Sequence, residues 1–224
     1  QPLILMLIFT LLFSNVDSIS TGDESIPYSV FSYTGLLFWT LFATGVSFAS
    51  NSLINNQSLI TKTALPRFVL VASNILVGVI DFLIAFVLFI GLVLITDAPI
   101  SWANLLWVPV LMLATLLSAV AIASFLSALN VQFRDVRYAL PFAIQVLLFL
   151  TPIIYPVSLI SENWQWVLYL NPLAGVIELA RSTILLNTTP DWSLIAISAA
   201  SLVCLLGIGL SYFRRSEKVF ADVI

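Results

Sequence analysis

Asp81 stands in the middle of an apolar run, NILVGVIDFLIAFVLF, and its type and place demand a chemical reason. An ionised carboxylate is costly at the centre of a bilayer, so such residues face the protein interior or water. One reading is a proton- or ion-coupling site. The other is structural, with the carboxyl capping or hydrogen-bonding a neighbouring helix or subunit. No other apolar segment holds an Asp, Glu, Lys, Arg or His, the second titratable group that a relay would need. Glu178 and Arg181 form a second constellation: three residues apart, they share a face wherever that stretch is helical. They read either as a structural ion pair or as a gate.

Covalent and metal chemistry finds little to work with. The chain has no His, and its single Cys, Cys204, lies inside SLVCLLGIGL. That excludes histidine or paired-cysteine metal sites and an internal disulfide. Neither Lys62 nor Lys218 follows a glycine, so no G-x-x-x-x-G-K-[ST] phosphate loop exists. Nucleotide hydrolysis must come from another polypeptide. Without G-x-S-x-G or a carboxylate pair inside one apolar segment, an intramembrane enzyme is also excluded. No catalytic residue and no metal ligand is assigned.

The elements that must position these residues follow from composition. Of 224 residues, 61% are hydrophobic and 8% charged, against about 25% charged in an ordinary soluble domain. The bilayer is therefore the main solvent. A span takes about 20 apolar residues, so the length holds roughly six with short connections. A net charge of -3 without a long basic stretch makes nucleic acid an unsuitable partner.

The apolar segments predict spans at 3–16, 28–50, 68–96, 105–129, 139–157 and 192–213. The first opens directly after Gln1-Pro2, lacks the charged lead of a signal peptide and is short. It is expected to be a span whose cytoplasmic lead-in is missing. Residues 158–191 contain PLAGVIELARSTILL, Pro172–Leu186, too short and too charged to cross alone; a re-entrant or interfacial hairpin fits it. Pro141, Pro152, Pro156 and Pro172 break or kink helices around it. Irregular backbone at membrane depth requires protein or a water-filled cavity around it, which points to an exit path here.

Seven of the eight basic residues fall in connection 51–67, connection 130–138 or the C-terminal tail, the exception being Arg181. Those connections alternate with segments carrying Asp17, Asp23 and Glu24, then Asp97, then Glu162, Glu178 and Asp191. The positive-inside rule puts the basic connections and both termini in the cytoplasm. The predicted fold is an all-α integral membrane protein, a single domain over 1–224, with six spans and an extracytoplasmic hairpin between the fifth and sixth.

Connection Asn51–Arg67, NSLINNQSLITKTALPR, places Leu53, Ile54, Leu59 and Ile60 at roughly helical spacing before Pro66. It reads as a solvated loop with a short interfacial helix, or as a docking helix for a cytoplasmic partner. Trp102, Trp107, Trp164, Trp166 and Trp192 sit near the ends of spans, where an aromatic belt accounts for them. Phe38, Trp39, Phe42 and Phe48 in the second span, and Phe142, Phe149 and Tyr155 in the fifth, lie deeper. They are packing residues, or faces on which sugar rings stack.

The segment NVQFRDVRYALPFAIQVLLFLTPIIYPVSLI, Asn130–Ile160, followed by NPLAGVIELAR, Asn171–Arg181, resembles the permease subunit of polysaccharide ABC exporters. GLLFWTLFATGVSFASNSLINNQSLITK at Gly35–Lys62, LPRFVL at Leu65–Leu70 and YFRRSEKVFADVI at Tyr212–Ile224 fit the same family. That family comprises type 2 ABC permeases exporting O-antigen, capsule or teichoic acid through the bacterial cytoplasmic membrane. The resemblance implies a homodimer bound to two cytoplasmic ATPase subunits, with ATP and Mg on those partners and no cofactor on this chain. The cargo it implies is a lipid-linked glycan passing between the two copies within the membrane lipid.

On this sequence the resemblance implies a coupling helix over about Asn51–Ala64, including Asn51, Leu53, Ile54, Asn55, Leu59, Ile60 and Lys62. Phe38, Trp39, Phe42, Phe142, Phe149 and Tyr155 become candidates for the glycan path, and Asn171, Pro172, Glu178 and Arg181 for an extracytoplasmic gate. The resemblance also implies an amphipathic cytoplasmic interface helix ahead of the first span, a lead-in this sequence is expected to lack. Two rival readings remain: an ABC exporter of a drug or small lipid, and an ion-coupled secondary transporter using Asp81.

Overall fold

Proline and charge punctuate the apolar sequence into helices of very unequal length. The computed structural model describes residues 2–13, 26–62, 66–133 and 135–217, and among these the regular elements are all helical. They are α1 (Pro2–Phe13), α2 (Tyr28–Asn55), α3 (Gln57–Lys62), α4 (Arg67–Thr96), α5 (Val108–Gln132), α6 (Val136–Leu150), α7 (Glu162–Leu168), α8 (Pro172–Ala180) and α9 (Trp192–Ser216). A 3₁₀ turn, Trp102–Trp107, leads into α5, and a π-helical turn, Arg181–Leu185, extends α8. Ala64, Arg134, Lys218, the acids Asp17, Asp23 and Glu24, and the side chain of Ile60 lie outside the described residues.

Four helical units are long and apolar enough to cross a membrane: α2, α4, the 3₁₀ turn with α5, and α9, of 28, 30, 31 and 25 residues. At 1.5 Å per residue even the shortest reaches about 37 Å, against about 30 Å of hydrocarbon. The first and fifth predicted spans emerge as shorter apolar helices, α1 of 12 residues and α6 of 15. The fifth departs most from expectation: a continuous span over 139–157 stops being helical after Leu150.

α2 is the centre of the bundle. It packs on α1, α4 and α5, and α5 in turn packs on α9. In the apolar window of α2, 61% of residues are buried, against 11% in α9. The outward faces of α4 and α9 therefore present Leu, Ile and Val side chains to their surroundings. Such faces are compatible with lipid and not with water.

Because lipid gives helices no hydrophobic reason to associate, their contacts depend on small residues and backbone approach. A Cβ on Gly209 of α9 would lie 2.1 Å from the Ala121 carbonyl oxygen of α5, and one on Gly175 of α8 would lie 2.5 Å from the Ser198 Cβ of α9. Polar side chains tie the bundle at one end. The Asn130 side-chain amide donates to the Ser50 carbonyl at 3.0 Å and to Asn51 Oδ1 at 3.2 Å. Gln132 Nε2 donates to Ser216 Oγ at 3.0 Å, and Arg67 donates to the Glu217 carbonyl. These bonds gather the C-terminal ends of α2, α5 and α9 with the start of α4. Lys62, Arg67, Arg214 and Arg215 lie at that end.

Candidate functional site

The end of α6 is where the fold departs from regular helix among buried neighbours. Thr151 adopts an extended backbone (φ -91°, ψ 136°) ahead of Pro152, as a residue preceding proline is driven to do. Residues 151–154 leave the helix yet stay buried, so their freed carbonyls need donors. Arg181 supplies two. Its guanidinium donates to the Pro152 and Ile153 carbonyls at 2.6 Å each, and more weakly to Phe31 O at 3.4 Å. The guanidinium also lies 3.6 Å from the centre of the Phe31 ring. The Tyr28 hydroxyl donates to the Ile154 carbonyl at 2.8 Å.

Asn171 completes the junction from the other side. Its Nδ2 donates to Thr151 Oγ1 at 2.8 Å, and its Oδ1 caps α8 by accepting from the Leu173 amide at 3.1 Å. Pro172 follows as the first residue of α8 and is buried. Glu178 shares the helix with Arg181, but all three Arg181 hydrogen bonds go to main-chain carbonyls. The proline-broken backbone, rather than the neighbouring carboxylate, is what holds the guanidinium.

The turn between α7 and α8 reaches far down α9. Ser198 Oγ donates to the Tyr169 carbonyl at 3.0 Å, and Ser201 Oγ donates to the Leu170 carbonyl. Those serines lie about 9–14 Å along α9 from Trp192, at 1.5 Å per residue. The π-helical turn after α8 packs back on the 3₁₀ turn, where the Ser101 amide donates to Ile184 O at 2.9 Å and Asn104 Nδ2 to Thr183 O at 2.8 Å. Asp191 caps α9. Hydrogen bonds from the Ser193 hydroxyl (2.6 Å) and the Ser193 amide (3.0 Å) hold its carboxyl below the ordinary carboxylate range.

Six aromatics were candidates for a path, and the structure separates them. Phe38, Trp39 and Phe42 are buried in α2, Phe38 against Phe82 and Trp39 against Phe42, each pair at 5.6 Å between ring centres. Phe142 and Phe149 are exposed on α6, where they share a face with Tyr138 and Gln145. Tyr155 is half-buried and donates to the Phe149 carbonyl at 3.2 Å.

Asp81 borders two cavities, of about 250 and about 590 Å³, that meet at Asp81 and Thr44. The larger lies between α1, α2, α4 and α6 and adds Ser47, Phe48 and Gln145 to its wall. The charge-bearing connection is laid out as the end of α2 followed by the short α3. Leu53 is buried in the bundle and Ile54 partly so, while Asn55, Leu59 and Lys62 are exposed. Asn51 belongs to the clamp with Asn130.

Residues 1–185 match the family model described as ABC-2 type transporter. An O-antigen export system permease protein RfbA of Klebsiella pneumoniae is 27% identical over 224 residues, covering 100% of this chain and 85% of the relative. The protein of the same description from Myxococcus xanthus is 28% identical over 227 residues, with the same coverage.

Proposed function

The chain belongs to the ABC-2 type transporter family, and from that premise we propose that it is the permease subunit of an ATP-driven exporter moving lipid-linked polysaccharide across the bacterial cytoplasmic membrane. The observation that carries this is the similarity to two O-antigen export permeases, which covers 100% of this chain and 85% of each relative. An integral-membrane helix bundle without a phosphate loop suits a subunit whose ATP is hydrolysed elsewhere.

In this reading α1 and α6 are the two short members of a six-span unit. The end bearing Lys62, Arg67, Arg214 and Arg215 faces the cytoplasm. Two copies of the chain pair, and each engages one ATPase subunit through α3 and the end of α2. ATP binding on the partners pushes those helices. The Asn51–Asn130 clamp carries the push into α5, and the two copies reorient to open a path between them. The hairpin α7–α8 is re-entrant from the outer face, and with the Arg181 junction it forms the extracytoplasmic mouth. No residue performs covalent chemistry.

Among the described residues, Asp81 has no titratable neighbour in either cavity that it lines, so nothing favours ion coupling. The test is genetic. Deleting the chain is expected to remove the glycan from the cell surface and to accumulate it, still lipid-linked, on the cytoplasmic face. Normal surface glycan in the deletion strain would refute the assignment.

A further inference from the structure

Resting on that exporter reading, we propose that the cleft around Asp81 is a sugar-binding station, in which the carboxylate accepts hydrogen bonds from the hydroxyls of a neutral pyranose. The cleft is roomy: its volume of about 590 Å³ falls within the range of about 300–1,000 Å³ typical of small-ligand sites. Around it α4 and α6 are otherwise apolar, yet four polar side chains converge on it. Asp81 comes from α4, Thr44 and Ser47 from α2, and Gln145 from α6. None of the four makes a side-chain hydrogen bond to another described residue. Polar groups left unpaired at membrane depth face a water-filled cavity or a polar ligand.

The type of group present selects the ligand. Among the described residues no Lys or Arg lines either cavity, and the carboxylate that does would repel a lipid phosphate. A bound metal cation would find one carboxylate and two or three neutral oxygens in a space far larger than an ion. A sugar hydroxyl suits every group present, since it donates to Asp81 and exchanges hydrogen bonds with the Thr44 and Ser47 hydroxyls and the Gln145 amide. Phe48 is 52% exposed and lines the same wall, offering an aromatic face to the C–H side of a ring. Trp39 is 4% exposed and contributes wall only.

The test uses the full permease–ATPase complex in lipid nanodiscs and two probes: the water-soluble oligosaccharide released from the source cell's lipid-linked glycan, and undecaprenyl phosphate. Binding is read by saturation-transfer NMR. Asp81→Asn and Gln145→Leu, on opposite walls, are each expected to raise the oligosaccharide Kd at least tenfold and to leave undecaprenyl phosphate binding at the wild-type level. Gln145→Leu introduces a lipid-compatible side chain, so the test survives if Asp81→Asn misfolds. An oligosaccharide Kd unchanged in both variants would overturn the station and leave the exporter reading intact. A wild-type complex that exports glycan into vesicles yet binds no oligosaccharide would also overturn the station alone. A complex that neither binds nor exports would remove both. A Cys introduced at Gln145 that cross-links quantitatively to its counterpart in a second copy would show the cleft filled by protein, again overturning the station.

Discussion

Arg181 shows how one side chain makes a helix break tolerable. Its guanidinium bonds the Pro152 and Ile153 carbonyls that the break frees, and charge-assisted bonds of this kind are about twice as strong as neutral ones. Arg181→Met is expected to leave those carbonyls without donors, at about 1–3 kcal/mol each. Arg181→Lys keeps the charge but not the fork, so it should lose less. Melting in detergent should rank wild type above Lys above Met, and three equal melting points would contradict the role. Asp191 carries a pH-dependent share of helix stability. Because its folded pKa is depressed by the Ser193 hydrogen bonds, its contribution is fully present above the ordinary carboxylate pKa of about 3.9. It is lost as pH falls through the lower folded value. Exchange protection at the Ser193 and Leu194 amides should therefore decline in strong acid. In Asp191→Ala it should be low at every pH. The sequence marked Arg181 as the one basic residue on the wrong side of the charge alternation. Its acceptors were not legible, because pairing by i, i+3 spacing names Glu178 while a backbone carbonyl has no signature in sequence.

At the scale of elements, the hydrophobic runs located four long helices closely, and proline located the trouble in the fifth. The run 139–157 reads as continuous because apolar periodicity does not register backbone that is buried but not helical. Only Pro152 and Pro156 hint that α6 stops at Leu150. The burial of the candidate aromatics was equally illegible, since Phe38 in the core and Phe142 on the surface are the same residue type in similar runs. Close helix approach provides a sharper test. Gly209→Ala places a methyl where the Ala121 carbonyl oxygen stands 2.1 Å away, so α9 must move off α5. Overpacking of this kind costs about 1–3 kcal/mol, and an unchanged melting point would contradict the contact. For α3, Leu59→Asp puts a charge on an exposed apolar position of the connection. It is expected to weaken co-purification with the ATPase partner while leaving the permease folded. Unchanged co-purification would move the docking surface elsewhere.

For the molecule as a whole, orientation and energy coupling are the linked claims. A Cys introduced at Asp97, at the end of α4, should react with an impermeant label added outside cells, and one at Gln132, at the end of α5, should not. The reverse pattern would invert the topology and place α3 beyond the reach of any ATPase. The most direct test of the exporter itself is the passage of lipid-linked glycan across vesicle membranes containing the purified permease, with and without its ATPase subunit. The account predicts that glycan becomes accessible to an added glycosidase on the far side only when both subunits and ATP are present. Equal passage by the permease alone, or passage driven by an ion gradient without ATP, would contradict it.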